Sequence, residues 1–318
     1  MLLRIKSLVR RTAFKIIKPL LKEYLVEMQN QRNISKAIQD NLNISKAIQD
    51  NPNISSKLLS IGGLAPDFIV PLEGNSKQSL SNTLNVPPEE LWEGYAEGPE
   101  DYLEYGQLDT VKMLEILQRA GESAETLTRI LDLGCAAGRM LRHYPHYEGK
   151  SELWGCDINA KHINWCHQHL SPPFLFATTT TAPHLPFEDN YFDLLYCGSV
   201  FTHISDLADA WFLEIRRVLR KGGYAFLTIH DKHTVDLLLN KYIHMERFYN
   251  IANFIKQYDE KTSVTTQNYA YFSIGADPVS QVYYDIDYLL KKWSHYAKVI
   301  SVNPETYNYQ TAILLQKF

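Results

Sequence analysis

Hydrophobic and polar residues follow one another in short blocks between residues 129 and 318, and each block predicts one secondary-structure element. Short apolar runs indicate buried strands, whereas apolar residues three or four positions apart indicate amphipathic helices. Predicted strands are "RILDLG", "ELWGCDI", "PFLFATT", "YFDLLYCGSVF" and "GGYAFLTIH". Between them, "RMLRHY" opens a predicted helix, and "AKHINWCHQHL" and "LADAWFLEIRRVLR" are predicted helices. This alternation is typical of an α/β fold with a parallel sheet covered on both faces.

The flanks of this region predict different elements. Before the first strand, "LDTVKMLEILQRAG" predicts a helix with Val111, Leu114, Ile116 and Leu117 facing inward and Gly121 as its stop. Near the end, "IDYLLKKW" predicts a helix, and "AKVISVNPE" and "QTAILLQKF" predict two paired antiparallel strands.

The first 30 residues form a basic, amphipathic pattern with apolar residues at helical spacing. Seven cations precede the first acidic residue: Arg4, Lys6, Arg10, Arg11, Lys15, Lys18 and Lys22. Such a helix can lie on an anionic membrane surface, to which each cation contributes on the order of 1 kcal/mol. Residues 1–25 therefore predict peripheral contact with the inner face of a membrane. A helix packed on another subunit and a flexible basic tail are the alternatives.

Residues 31–60 contain a decapeptide repeat in which Asn33, Asn43 and Asn53 recur. Three short units are too few for a solenoid core, so we interpret residues 1–60 as a helical extension through which the chain could form a homo-oligomer. A sequence duplication without function is the alternative. Residues 61–105 are rich in Gly and Pro and predict a linker or N-terminal cap before the domain at 106–318.

Composition excludes several classes of function. The net charge of −4 argues against a nucleic-acid partner. The sequence has no apolar run of about 20 residues, so we expect no transmembrane helix. The four cysteines show no C-x-x-C pair, which predicts reduced thiols of a cytoplasmic protein and no metal site.

The stretch "RILDLGCAAGRM" has the pattern of a strand, a glycine turn and a helix, which is typical of nucleotide sites. A dinucleotide loop counted from Gly134 requires glycine at positions 136 and 139, where the chain has Ala136 and Arg139. A phosphate loop requires G-K-[ST], which does not follow. A nicotinamide-dependent oxidoreductase is therefore disfavoured.

Two acidic residues indicate which chemical groups the ligand carries. Asp132 ends the first strand beside the turn, where it would repel a pyrophosphate but suit an ammonium group. Asp157 ends the second strand about 20 residues past the turn, where a carboxylate can accept hydrogen bonds from ribose hydroxyls. A ligand with ribose, an amino group and no phosphate fits both, and S-adenosylmethionine is such a ligand.

At these residues the chain resembles the class I S-adenosylmethionine-dependent methyltransferases with a type 11/25-like domain, over roughly residues 105–318. The resemblance is carried by "ILDLGCAAGR", "LWGCDIN", "LPFEDNYFDLLYCGSVFTHI" and "EIRRVLRKGGYAFLTIHD", in that order. It implies a Rossmann-like α/β fold: a seven-stranded, mostly parallel sheet with an antiparallel last strand, helices on both faces, and here an N-terminal helical extension.

The resemblance also implies cofactor-binding residues. They surround the methionine part (Asp132, Gly134, Cys135, Ala136, Gly138), the ribose and adenine (Asp157, Ile158), the adenine edge (Thr179, Thr180) and the sulfonium side (Ser199, Val200). The chain departs from the family at "TTTTAPH", where many members have an acid, and at Ala136, where glycine is common. Alanine fits there if its φ stays negative.

The reaction implied is methyl transfer to a hydroxyl of a glycan or another small acceptor. His203 follows the fourth predicted strand, and His230 and Asp231 end the fifth, so all three are candidates for the catalytic base. The aromatic-rich residues 232–285 predict an insert that covers the acceptor. The alternative is a scaffold or interaction protein that binds the cofactor and transfers nothing.

Overall fold

The computed structural model describes residues 85–145, 151–275 and 280–318. The basic segment, the decapeptide repeat and most of the predicted linker lie outside these ranges. What the sequence predicts for residues 1–60, including membrane contact and oligomer formation, therefore stays a prediction.

Nine strands and six helices are found in the described ranges. The helices are α1 (Pro99–Arg119), α2 (Ala160–His169), α3 (Ala208–Val218), α4 (Lys232–Asp236), α5 (Glu246–Thr262) and α6 (Ile286–Trp293). The strands are β1 (Arg129–Leu133), β2 (Glu152–Asp157), β3 (Leu175–Thr178), β4 (Phe192–Cys197), β5 (Leu219–Ile229), β6 (Tyr271–Ile274), β7 (Gln281–Tyr284), β8 (Ala297–Tyr307) and β9 (Gln310–Lys317).

Seven strands form the main sheet in the order β3-β2-β1-β4-β5-β9-β8. The first five are parallel, and β9 runs antiparallel to both β5 and β8. This confirms the predicted mostly parallel sheet with an antiparallel last strand. The order reverses between β1 and β4, and open sheets of this kind bind ligands in the crevice at that point, beyond the carboxyl ends of the strands.

Helices cover both faces of the sheet. On one face, α1 and α2 supply Met113, Leu117 and Ile163 to a core that also contains Ile130 and Leu194 of the central strands. On the other face, α3 and α6 meet where Phe212 stacks on Trp293, with ring centroids 4.4 Å apart. Burial of each such side chain stabilises the fold by roughly 1.5–3 kcal/mol.

Two local predictions were wrong. Val111 is exposed rather than inward, because the buried stripe of α1 runs through Thr110 and Met113. No α-helix follows the glycine turn in residues 136–145, which form turns and one 3-10 turn at Leu141–His143. The cause is backbone shape: Ala136 and Gly138 have φ of 46° and 73°, outside the helical region.

The insert between β5 and α6 builds a core of its own. Phe248, Ile255, Phe272 and Tyr283 lie in a second hydrophobic cluster formed by α4, α5 and the β6–β7 hairpin. The hairpin joins the tip of β5, where the amide of Tyr284 donates to the carbonyl of His230 at 2.8 Å. Several of the aromatic residues predicted to cover an acceptor therefore hold the insert together.

Candidate functional site

The turn after β1 lies at the crevice where the strand order reverses. The amides of Gly134 and Cys135 both donate to the carbonyl of Cys156, at 2.7 and 3.0 Å, which ties the turn to β2. Gly134 has a φ of 80°, and a Cβ there would lie 2.3 Å from Cγ2 of Val200. Glycine at 134 thus lets the tip of β4 approach the turn.

Asp132 lies beneath this turn and is only 3% exposed. Burial raises the pKa of its carboxyl group to about 8, and the nearby Asp157 adds to the rise, while Tyr196 and Arg139 oppose it. A buried carboxylate with little compensation is stabilised by a cation placed beside it. The site therefore favours a ligand that carries a positive charge, as the sequence predicts.

This raised pKa predicts that the ligand's ammonium group displaces a proton. An ammonium beside Asp132 lowers the carboxyl pKa again, so binding releases a proton below about pH 8, and affinity increases with pH. We expect S-adenosylhomocysteine to bind up to about tenfold more tightly for each pH unit between about 6 and 7.5; above that, the ligand's own ammonium group begins to deprotonate.

Calorimetry in buffers of different ionisation enthalpy measures that proton release directly. Asp132→Asn should remove both the release and the pH dependence. In the ligand-free protein, the melting temperature should fall as the pH rises from about 4 to about 8 and then level off, because between these values the folded state keeps the Asp132 proton that the unfolded chain has lost. A pH-independent affinity in the unchanged protein would contradict this assignment.

Asp157 ends β2 and faces the same turn. Its Oδ2 accepts from the amide of Ala136 and its Oδ1 from the amide of Asn159, each at 2.8 Å. A carboxylate has about four acceptor positions, so about two remain for other donors. The condition of a negative φ at Ala136 is not met: its φ is 46°, in a turn where the Ala136 amide donates to Asp157.

The end of β3 completes this side of the crevice. The Thr179 amide donates to the carbonyl of Asp157 at 2.9 Å, and the Thr179 hydroxyl is buried without a hydrogen-bond partner in the part of the chain that the structure describes. A buried hydroxyl of this kind suits a polar ligand edge. Thr180 is exposed, and Ile158 is half exposed at the mouth of the crevice.

The tip of β4 lies on the opposite side. Ser199 has a φ of 60°, and Val200 packs against Gly134. Contacts therefore join the ends of β1 to β4: Asp157 receives the amide of Ala136, its carbonyl receives the amide of Thr179, and Val200 lies against Gly134.

Sequence reasoning missed Arg139, which it treated only as an absent glycine. Its side chain is buried, pairs with Asp109 at 2.9 Å, and lies over the rings of Tyr95 and Tyr307 at 4.4 and 5.3 Å. These partners come from α1, the segment before it and the end of β8, so no local pattern indicates them.

His203 follows β4 in a 3-10 turn. The amide of His203 donates to the carbonyl of Val200 at 3.0 Å. Its Nδ1 lies 2.8 Å from the carbonyl oxygen of Ser280. Since a carbonyl only accepts, Nδ1 carries the proton and Nε2 is the basic nitrogen. The fixed tautomer makes His203 a competent proton acceptor.

His230 has a different environment. It is 1% exposed and lies between the rings of Tyr283 and Tyr309, at 5.0 and 5.5 Å. Burial, together with the nearby His203, lowers its pKa to about 3, so the imidazole is neutral at physiological pH.

Asp231 acts as a helix cap. Its Oδ1 accepts from the amide of Thr234 at 2.9 Å at the start of α4. This hydrogen bond accounts for the aspartate without a catalytic role. Its predicted role as a base is not tested by any contact with a substrate.

Among residues 85–145, 151–275 and 280–318, no group of three or more His, Cys, Asp or Glu side chains could hold a metal ion. No helix in these ranges is long and apolar enough to span a membrane.

The segment that forms this crevice is similar to segments of known proteins. A family model described as a methyltransferase domain matches residues 131–227, from β1 to two residues before the end of β5. These findings support a class I S-adenosylmethionine-dependent methyltransferase domain over this segment. The matched segment contains every predicted cofactor-binding residue of the chain.

The curated relatives share that segment. The fatty-acid O-methyltransferase of Mycolicibacterium smegmatis is 27% identical over 138 residues, which are 42% of this chain and 50% of the relative. The sterol 24-C-methyltransferase of Schizosaccharomyces pombe is 33% identical over 101 residues, 30% of this chain and 26% of the relative. The chain thus spans half or less of the length of these relatives.

Solved structures of S-adenosylmethionine-dependent methyltransferases are also similar. One from Mesorhizobium loti has a TM-score of 0.45 and 16% identity, covering 66% of this chain and all of that one. The magnesium protoporphyrin IX methyltransferase of Synechocystis has a TM-score of 0.46 and 12% identity, and the match covers 71% of this chain and 91% of that one.

The side chains of the crevice fit S-adenosylmethionine. The buried carboxyl of Asp132 suits the ammonium group, the remaining acceptor positions of Asp157 suit the ribose hydroxyls, and the unpartnered hydroxyl of Thr179 suits the adenine edge. The two described cations that follow the turn have partners within the protein: Arg139 pairs with Asp109, and Arg142 donates to the carbonyls of Ala137, Gly138 and Asn85. The donor and acceptor set therefore matches a cationic, phosphate-free nucleoside.

Proposed function

We propose that this methyltransferase transfers a methyl group from S-adenosylmethionine to a hydroxyl group of a small acceptor, with His203 as the general base. The observation that carries the proposal is the hydrogen bond from His203 Nδ1 to the Ser280 carbonyl, which leaves Nε2 free to accept a proton. A hydroxyl needs such a base to become a nucleophile at neutral pH, and a positioned base contributes about 10²–10⁴-fold.

The remaining residues act by binding and positioning. The cofactor supplies a methyl group already activated on a sulfonium. Asp132 and Asp157 fix its two polar ends, and Ser199 and Val200 shape the wall between them at the tip of β4. Holding both reactants in line can supply roughly 7–11 kcal/mol of the barrier.

The acceptor class combines two lines of support. The fourth-strand and fifth-strand segments resemble methyltransferases found beside glycan-building enzymes, which favours a sugar hydroxyl. Two relatives are named for fatty-acid and sterol substrates, which favours a lipid-like acceptor. The insert offers half-buried or exposed rings for either, at Tyr242, Tyr258, Tyr269 and Tyr271.

The experiment is a transfer assay with methyl-tritiated S-adenosylmethionine and separate glycan and lipid fractions. Labelled O-methyl ether, identified by mass spectrometry, supports the proposal and chooses between the fractions. Label on nitrogen or carbon would overturn the hydroxyl assignment. Cofactor binding without transfer to any fraction would favour the alternative of a binding protein.

We further propose that residues 1–25 contact an anionic membrane and that residues 1–60 join copies of the chain. Support comes from the basic, amphipathic pattern and the decapeptide repeat, both outside the described residues. Flotation with anionic liposomes should be lost on removal of residues 1–30, and equal flotation would contradict the membrane contact.

A further inference from the structure

The turn between β8 and β9, residues 307–310, reaches the tip of β4 although β5 lies between β9 and β4 in the sheet. Atoms of the Tyr307 ring lie 2.9 Å from where a Cβ on Gly198 would be, so only glycine permits this approach. Gln310, at the other end of the turn, is 4% exposed. A segment more than 100 residues away in sequence therefore borders Ser199.

Gln310 and Thr228 hold Ser199 through three hydrogen bonds. The Gln310 amide nitrogen donates to the Ser199 hydroxyl at 2.8 Å, and the Thr228 hydroxyl donates to the Gln310 amide oxygen at 2.7 Å. The Ser199 amide in turn donates to the Thr228 hydroxyl at 2.7 Å. The three hydrogen bonds form a closed ring, so each group fixes the orientation of the next.

The opposite side of Ser199 is held as well. The Thr202 hydroxyl donates to the Ser199 carbonyl at 2.8 Å, and both Thr202 and Thr228 are fully buried. Ser199 has a φ of 60°, a left-handed conformation that non-glycine residues adopt uncommonly. Such a conformation persists where surrounding contacts over-determine it, and these contacts do so.

We propose that Gln310 and Thr228 are positioning residues of the methyltransferase, which keep Ser199 in its left-handed conformation and thereby shape the sulfonium side of the crevice. The inference rests on the proposed function, because it takes the tip of β4 as the wall beside the reacting methyl group. It assigns a role to the segment "TYNYQ", whose pattern indicates only a hairpin.

The test compares binding of S-adenosylmethionine and S-adenosylhomocysteine by calorimetry. The two ligands share their adenosine and amino-acid parts and differ at the sulfonium methyl, so the ratio of their affinities reports on this wall. Thr228→Val and Gln310→Met remove the hydrogen bonds with little change of volume. Each should lower the preference for S-adenosylmethionine about tenfold, and Thr228→Ser should restore it.

Thr311→Val is the matched control. Thr311 follows Gln310 and is fully buried, and its hydroxyl has no hydrogen-bond partner in the described ranges. We expect its affinity ratio to equal that of the unchanged protein. Melting temperatures of all variants separate a change of the wall from a loss of the fold.

An unchanged ratio in folded Thr228→Val and Gln310→Met would overturn the inference, as would an equal change in Thr311→Val. If either of the first two variants does not fold, Gln310→Asn replaces it, because asparagine keeps the amide but has a shorter reach. Its affinity ratio should also fall, and an unchanged ratio would overturn the inference. If the unchanged protein binds neither ligand, the proposed function fails instead.

Discussion

His203→Gln is expected to lower methyl transfer to a hydroxyl acceptor by about 10²–10⁴-fold without changing the affinity for S-adenosylhomocysteine. Glutamine keeps a polar group of similar reach but cannot take a proton at neutral pH. His203 lies after β4, next to the crevice wall but not among the residues that hold the cofactor. The loss should therefore fall on the chemical step, measured as the single-turnover rate at saturating cofactor.

His295→Gln is the control for this substitution. The Nδ1 of His295 also lies near a backbone carbonyl, that of Lys292 at 3.1 Å, but the residue is exposed and follows α6. Its loss should leave the rate unchanged. A parent-like rate in His203→Gln would remove His203 as the base, and the neutral, buried His230 would not replace it readily, since its pKa is about 3.

Asp157→Ala is expected to weaken binding of S-adenosylhomocysteine by roughly 10²-fold or more. Hydrogen bonds to a charged group contribute about 1.5–3 kcal/mol each, and two ribose hydroxyls would lose their acceptor. The carboxylate also receives the amides of Ala136 and Asn159, so the turn loses an anchor as well. Calorimetry measures the affinity directly.

Adenosine and its 2′-deoxy analogue separate the ribose contact from the turn. The unchanged protein should prefer adenosine, whereas Asp157→Ala should bind both equally, because the acceptor of the 2′-hydroxyl is gone. Asp189→Ala is the control, since Asp189 is an exposed carboxylate that pairs with Arg217. Equal affinity of Asp157→Ala and the unchanged protein would contradict the ribose assignment.

The periodic parts of the fold could be predicted from the sequence. Helix α6 begins and ends where "IDYLLKKW" does, and strands β1 to β4 fall on the apolar runs that indicate them, whereas β5 begins at Leu219, within the segment predicted as a helix. The pairing of β8 with β9 is also as predicted. Such segments carry their own signal, because hydrophobic spacing alone decides which face is buried.

The crevice could be predicted in part. Parallel strands end at one edge of the sheet, so Asp132 and Asp157 were expected to lie together, and they do. The shape of the turn was not predicted, because the positive φ of Ala136 depends on Asp157, 21 residues away. A local pattern cannot indicate a backbone conformation that a distant carboxylate stabilises.

Contacts across long separations were the least predictable. Arg139 meets Tyr307, and Gln310 meets Ser199, across 168 and 111 residues of sequence. Nothing local distinguishes a buried arginine or glutamine from an exposed one. The contacts of Arg139 and Gln310 can be recognised only from the structure, in which the C-terminal hairpin lies beside the parallel strands.

The most direct test of the account is calorimetry of the full chain with S-adenosylhomocysteine and, separately, with NAD. If Asp132 and Asp157 form a site for a cationic nucleoside without phosphates, S-adenosylhomocysteine binds and NAD gives no heat of binding. Binding of NAD, or of neither ligand, would contradict it.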